Sequence, residues 1–136
     1  MKRLPLPACL MFLGILLLSG CHNTYSEFSG TFVSNSLEYQ YQIIFHDNGT
    51  WEMPENEHSN PFPATGTFAF AAGDNVELFY DEETVNTIIE WWAADETGVE
   101  QARGLLGRPI LVYVYDAESG TLHLHGVPNP QVLTRK

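Results

Sequence analysis

From Tyr39 to His46 the chain alternates. Tyr39, Tyr41, Ile43 and Phe45 fall on one side of an extended backbone, and Gln40, Gln42, Ile44 and His46 fall on the other. Successive side chains of a strand point to opposite faces, so grease at every second position describes a half-buried strand. Asp47-Asn48-Gly49 follows, then Thr50-Trp51-Glu52-Met53. A two-residue loop at Asn48-Gly49 sets Phe45 against Glu52 and mixes grease with charge. A three-residue loop, with Gly49 left-handed in a bulge, sets Phe45 against Trp51 and Ile43 against Met53. The second choice keeps one face apolar, so the register of this hairpin is expected to follow it.

Two further hairpins obey the same logic. Phe68 and Phe70 are expected to face Val76 and Leu78 across Ala71–Asn75, and Val112 and Val114 to face Leu122 and Leu124 across Asp116–Gly120. Both loops carry the Gly, Asp, Asn or Ser that turns favour. Phe28–Val33 adds an opening strand. Short strands joined by tight turns predict an all-β fold, a small antiparallel meander or barrel of about eight strands.

One stretch, 81–107, breaks the pattern. Val85, Ile88, Ile89 and Trp92 share a helical face, yet Val85, Thr87, Ile89 and Trp91 also alternate. Residue type favours a strand over 84–94. Glu96–Leu106 reads as a short helix or irregular turn ended by Gly107 and Pro109. Pro54–Ala64, with three prolines, reads as loop.

The amino-terminal segment obeys a different rule. Lys2 and Arg3 precede an apolar run, Leu4–Leu18, and then come Ser19 and Gly20. Charge, grease and small residues in that order form a secretory signal. The run is short of the ~20 residues that a spanning helix needs. Leu18-Ser19-Gly20-Cys21 resembles the lipobox of bacterial lipoproteins. The resemblance implies cleavage before Cys21 and acylation of its sulfur and new amino group. It also implies a membrane anchor, since two or more acyl chains hold a protein stably where one does not. Cys9 would leave with residues 1–20. His22 in place of an aspartate implies the outer membrane, with the protein facing the periplasm. Residues 21–27 then form an acylated tether, and 28–136 a single domain.

Removing residues 1–20 takes Lys2 and Arg3, which leaves four basic against 17 acidic residues, a net charge of −13. Such a chain repels nucleic acid and anionic head groups and suits cationic partners or simple solubility. Eight Phe, six Tyr and three Trp supply ample core material.

Several short motifs are spread over most of the domain: Gly30-Thr31-Phe32, Ile44-Phe45-x-Asp47-x-Gly49-Thr50, Gly66-Thr67-Phe68, Gly73-Asp74-x-Val76-x-Leu78 and Gly120-Thr121-Leu122-x-Leu124. In these it resembles the lipocalin-like small barrels of bacterial lipoproteins. True lipocalins are longer and usually carry Gly-x-Trp where this chain has Phe32. A barrel of eight strands either fills with side chains or holds one small ligand. The aromatic content predicts filling.

Candidate chemistry is sparse. His123 and His125 share the outward face of a strand and form a metal pair only if the fold brings a third ligand. His58 stands in the loop with Glu55 and Glu57. Asp81-Glu82-Glu83 is a run, which more often marks a solvated loop than a carboxylate pair for hydrolysis. No Gly-x-Ser-x-Gly and no glycine-rich phosphate loop occurs. The expectation is a non-enzyme with no cofactor. Trp91-Trp92 remains: on a strand, one ring enters the core and the other faces out beside Glu90, Asp95 and Glu96, as an interface anchor would. The competing possibility buries both, one under 96–106. The expected function is binding of another envelope protein through Trp91, Trp92, Asp81, Glu82 and Glu83, with a cationic cell-wall enzyme under inhibition as the partner that suits the charge. The alternative is a carrier of a small apolar ligand inside the barrel.

Overall fold

The structure is a computed structural model that describes residues 25–35, 40–57, 60–128 and 131–136. Eight strands form one closed antiparallel barrel in sequence order. They are β1 (Gly30–Ser34), β2 (Gln42–Phe45), β3 (Thr50–Met53), β4 (Ala64–Ala71), β5 (Asn75–Tyr80), β6 (Leu111–Asp116), β7 (Thr121–Leu124) and β8 (Val132–Arg135). β8 pairs back onto β1, with Arg135 opposite Phe32. Closure removes the edge strands that would otherwise invite pairing with other chains. The all-β meander is therefore the fold. Among the described residues three short α-helices accompany it: α1 (Tyr25–Phe28), α2 (Glu82–Trp92) and α3 (Glu96–Arg103).

The first hairpin has the expected register, with Phe45 opposite Trp51. Gly49 has φ +86°, where a side chain would be strained. Asn48 Oδ1 accepts from the Thr50 amide at 3.1 Å and closes the turn. The second hairpin also holds, with Phe68 opposite Leu78 and Phe70 opposite Val76.

The third hairpin is a correction. Tyr113 faces Leu124 and Tyr115 faces Leu122, because Asp116 still pairs with Thr121 and the loop is Ala117–Gly120. A loop shorter by one residue flips the whole of β6. Tyr113, not Val112 or Val114, is the buried residue of that strand. The strand expected over 84–94 is likewise overturned, since α2 occupies it.

Inside the barrel, side chains meet ring to ring. Phe28 lies 4.9 Å from both Phe45 and Tyr115, and Phe45 lies 4.9 Å from Phe68. Phe32, Ile43, Trp51, Val76, Leu78, Tyr113, Leu122 and Leu133 complete a core with almost no solvent access. Such rings prefer offset or edge-to-face contact, and these adopt it. The interior is packed with aromatic and aliphatic side chains.

Sequential antiparallel strands send their connections alternately to two ends. One end has only tight turns, Asp47–Gly49, Ala72–Asp74 and Ala117–Gly120. There α1 seals the barrel: Phe28 is buried, and the Tyr25 ring stacks 5.7 Å from Phe70. Tyr25–Glu27 lie exposed in α1, ahead of the buried Phe28. The other end carries the long connections 35–41, 54–63, 81–110 and 125–131.

Candidate functional site

The loop-end excursion 81–110 is built on one acid and two threonines. Asp81 is the N-cap of α2; its Oδ1 accepts from the Thr84 amide at 2.8 Å, and its Oδ2 accepts from Thr65 Oγ1 at 2.5 Å. A capping carboxylate satisfies an amide that the first helical turn leaves orphaned. The Thr84 hydroxyl, itself buried, accepts from the Thr65 amide at 2.8 Å and donates to the Thr65 carbonyl at 3.1 Å. Val85 is fully buried, while Ile88 and Ile89 are half-buried. These contacts fix α2 to the start of β4.

Asp95 caps α3 by accepting from the Gly98 amide at 2.9 Å. A Cβ at Gly98 would stand 3.3 Å from the Ala93 Cα, so the α2–α3 corner is tight. Trp91 and Trp92 lie immediately before that corner, 55% and 60% exposed. Neither ring enters the barrel core, which corrects the strand-based expectation of one ring in and one out, and equally the burial of both. Phe62 is their support. It is only 7% exposed, and its ring lies 5.7 Å from Trp91 and 5.2 Å from Trp92. Sequence inspection missed Phe62; the one signal is an aromatic held between Pro61 and Pro63 in an otherwise polar loop.

The same excursion is rich in acid. Glu82, Glu83, Glu90, Asp95, Glu96 and Glu100 are exposed on the two helices. With Asp81 they make seven acids against Arg103 and Arg108 across 81–110. A cleft of about 500 Å³ opens beside Trp92, lined by Tyr80, Ile88, Leu105, Arg108 and Ile110. A second cleft of about 370 Å³ is lined by amides such as Asn35, Gln40, Gln42 and Asn56 beside Tyr41 and Pro54. Of the five residues expected to bind a partner, the structure gathers Trp91 and Trp92 at one corner. Glu82 and Glu83 are exposed in the first turn of α2, and Asp81 is engaged as a cap.

The histidines are scattered. His123 sits on the outer face of β7, with Nε2 3.2 Å from Thr121 Oγ1, and His125 lies exposed past the strand end. His46 pairs with Glu52 at 2.8 Å on the β2–β3 face. Among the described residues no group of three or more His, Cys, Asp or Glu is placed to hold a metal. Cys21, the lipobox and His58 lie outside the described residues.

Three tyrosines ring the loop end of the interior. Burial pushes the Tyr113 hydroxyl far above the usual phenol range, and its hydrogen-bond partner Tyr41 is raised for the same reason. Burial raises Tyr80 as well. All three are neutral phenols at physiological pH and serve packing.

The fold and the site define a closed, side-chain-filled β-barrel with an acidic helical excursion at one end. No protein-family model, curated protein or solved structure matches the chain.

Proposed function

We propose that this chain is an outer-membrane lipoprotein, anchored through lipid on Cys21, whose α2–α3 face binds another envelope protein and performs no catalysis. One observation carries the reading. Two adjacent tryptophans stand more than half exposed on a buried phenylalanine, among exposed acids, at the end of a barrel with a filled interior. Large rigid aromatics in an exposed cluster are the residues that anchor protein interfaces. Surrounding acids select a basic partner and speed its approach. A basic cell-wall enzyme held inactive is the form of partner that best suits this chemistry. The packed interior favours such a surface role over transport of an apolar ligand within the barrel.

Affinity capture from envelope extract tests the proposal. The wild-type chain retains a basic protein at low salt and releases most of it at 0.5 M salt, where the Debye length falls to roughly 4 Å. The Trp91→Ala/Trp92→Ala double variant loses it at both. Equal retention by the double variant would refute the proposal.

A further inference from the structure

The two ends of the barrel give the anchored protein a direction. The described chain begins at Tyr25, whose ring packs on Phe68 and Phe70 at the sealed end. Trp91 and Trp92 belong to the opposite end, because α2 follows the last residue of β5 and is bonded to the first residues of β4. Resting on the reading of Cys21 as the lipid anchor, we infer that the sealed end faces the bilayer and the tryptophan corner faces away from it, toward a soluble or wall-bound basic protein.

Lengths decide between the two orientations. The span from Cys21 to Tyr25 is four residues and extends at most ~14 Å. β4 is eight residues long. At ~3.3 Å per residue and a tilt of ~40° it rises roughly 18 Å along the barrel axis. The α2–α3 layer adds a helix diameter of ~10 Å. Bringing the tryptophan corner to the membrane in an upright, inverted barrel therefore asks the tether to cover about twice its reach.

Charge opposes a tilted barrel as well. Exposed tryptophans are also the residues that settle into membrane interfaces. Here Glu90, Asp95, Glu96 and Glu100 would have to enter with them, and an anionic surface repels that set. The same acids attract the Lys and Arg side chains of a basic protein, whose aliphatic stems and cations both suit indole faces. The partner is thus expected on the far side of the protein from its own membrane.

Labelling the acylated full chain tests the orientation. Acylation occupies Cys21, and Cys9 is cleaved away, so a thiol introduced by Ala117→Cys or Thr97→Cys is the one free to react. Ala117 is exposed in a sealed-end turn, and Thr97 is exposed on α3. Each labelled protein is reconstituted in phosphatidylethanolamine–phosphatidylglycerol vesicles that contain nitroxide head groups. The label at 117 is expected to lose several-fold more fluorescence than the label at 97. Equal quenching at both positions, including none, or stronger quenching at 97, overturns the orientation while leaving the anchor intact. Failure of either protein to float with the vesicles overturns the anchor, and the orientation with it.

Discussion

Thr65 and Thr84 are bound to each other in both directions: the Thr65 amide donates to the Thr84 hydroxyl, and that hydroxyl donates back to the Thr65 carbonyl, at 2.8 and 3.1 Å. The pair ties the start of β4 to the first turn of α2, with Asp81 bracing both. The rigidity of the tryptophan corner depends on this knot.

Replacing Thr84 by Val keeps the shape and removes the knot. The Thr65 amide loses its partner, at about 1–3 kcal/mol where no water replaces it, while the Thr65 carbonyl keeps the Asp81 amide at 3.1 Å. Asp81→Ala removes the cap and is expected to lower stability by about 1–2 kcal/mol. Urea unfolding of the two variants gives the shift in midpoint. Hydrogen exchange locates the loss, which is expected in α2 before it reaches the barrel strands.

Gly66 lies opposite Trp51, and the indole Nε1 donates past it to the carbonyls of Thr67 and Phe79 at 3.0 and 3.2 Å. A Cβ at residue 66 would fall 1.7 Å from the Phe79 carbonyl oxygen. Backbone cannot yield that distance without breaking the β4–β5 ladder, so Gly66→Ala should destabilise by more than ~3 kcal/mol or prevent folding. Gly73→Ala is the contrasting variant. Nothing stands within 4 Å of its Cβ, and only the positive φ of +74° is strained, at about 1 kcal/mol. Thermal unfolding followed by near-ultraviolet circular dichroism separates the two.

Arg135 joins the last strand to the first. Its guanidinium lies 4.7 Å from the Phe32 ring centroid, and Nη1 donates to the Ser29 carbonyl at 2.8 Å. Nη2 donates to the Tyr115 hydroxyl at 3.2 Å. Arg135→Ala is expected to cost about 2–3 kcal/mol, combining a charged hydrogen bond with a cation–π contact. Arg135→Lys recovers part of this, since an ammonium cannot reproduce the planar fork. Urea midpoints of the two variants check the order.

Alkali provides a test of the neutral tyrosines. The folded state holds Tyr113 protonated well above the ordinary value of 10.0, so its contribution is fully present below pH 10 and is lost as pH rises beyond it. The unfolded chain then binds fewer protons than the native one, and stability falls by up to ~1.4 kcal/mol per pH unit for such a group. Tyr41 and Tyr80 shift in the same direction but are partly wet, so solvent weakens their part. Urea midpoints are expected to be flat from pH 7 to 9.5 and to drop at pH 11. Tyr113→Phe should flatten the drop.

Particular residues explain what was legible in advance. The first hairpin could be read because Glu52 made the wrong register visibly poor, with charge against Phe45, and Gly49 supplied the left-handed position. The third could not, because Leu111-Val112-Tyr113-Val114-Tyr115 is apolar on both faces. Alternation then carries no information about which side is inside, and a loop that differs by one residue decides it. In α2, branched residues and a coincidental alternation argued for a strand; capping by Asp81 and the spacing of Val85, Ile88, Ile89 and Trp92 prevailed. Local propensity yields where a cap and an apolar stripe at helical spacing agree. The exposure of both tryptophans followed from that helix, and their support by Phe62 from a contact made across the loop end, which no local pattern encodes.

Photocrosslinking in intact cells tests the binding face most directly. A photoreactive side chain is introduced at Glu90, beside the tryptophans, and in a second strain at Thr134, exposed on the barrel wall. A basic envelope protein should be captured from position 90 and not from 134. That adduct should disappear when Glu82, Glu83 and Glu96 are changed to Lys. Capture from 134 alone, or an adduct at 90 that survives the charge reversal, would contradict the proposal that this acidic, tryptophan-bearing face is where the protein acts.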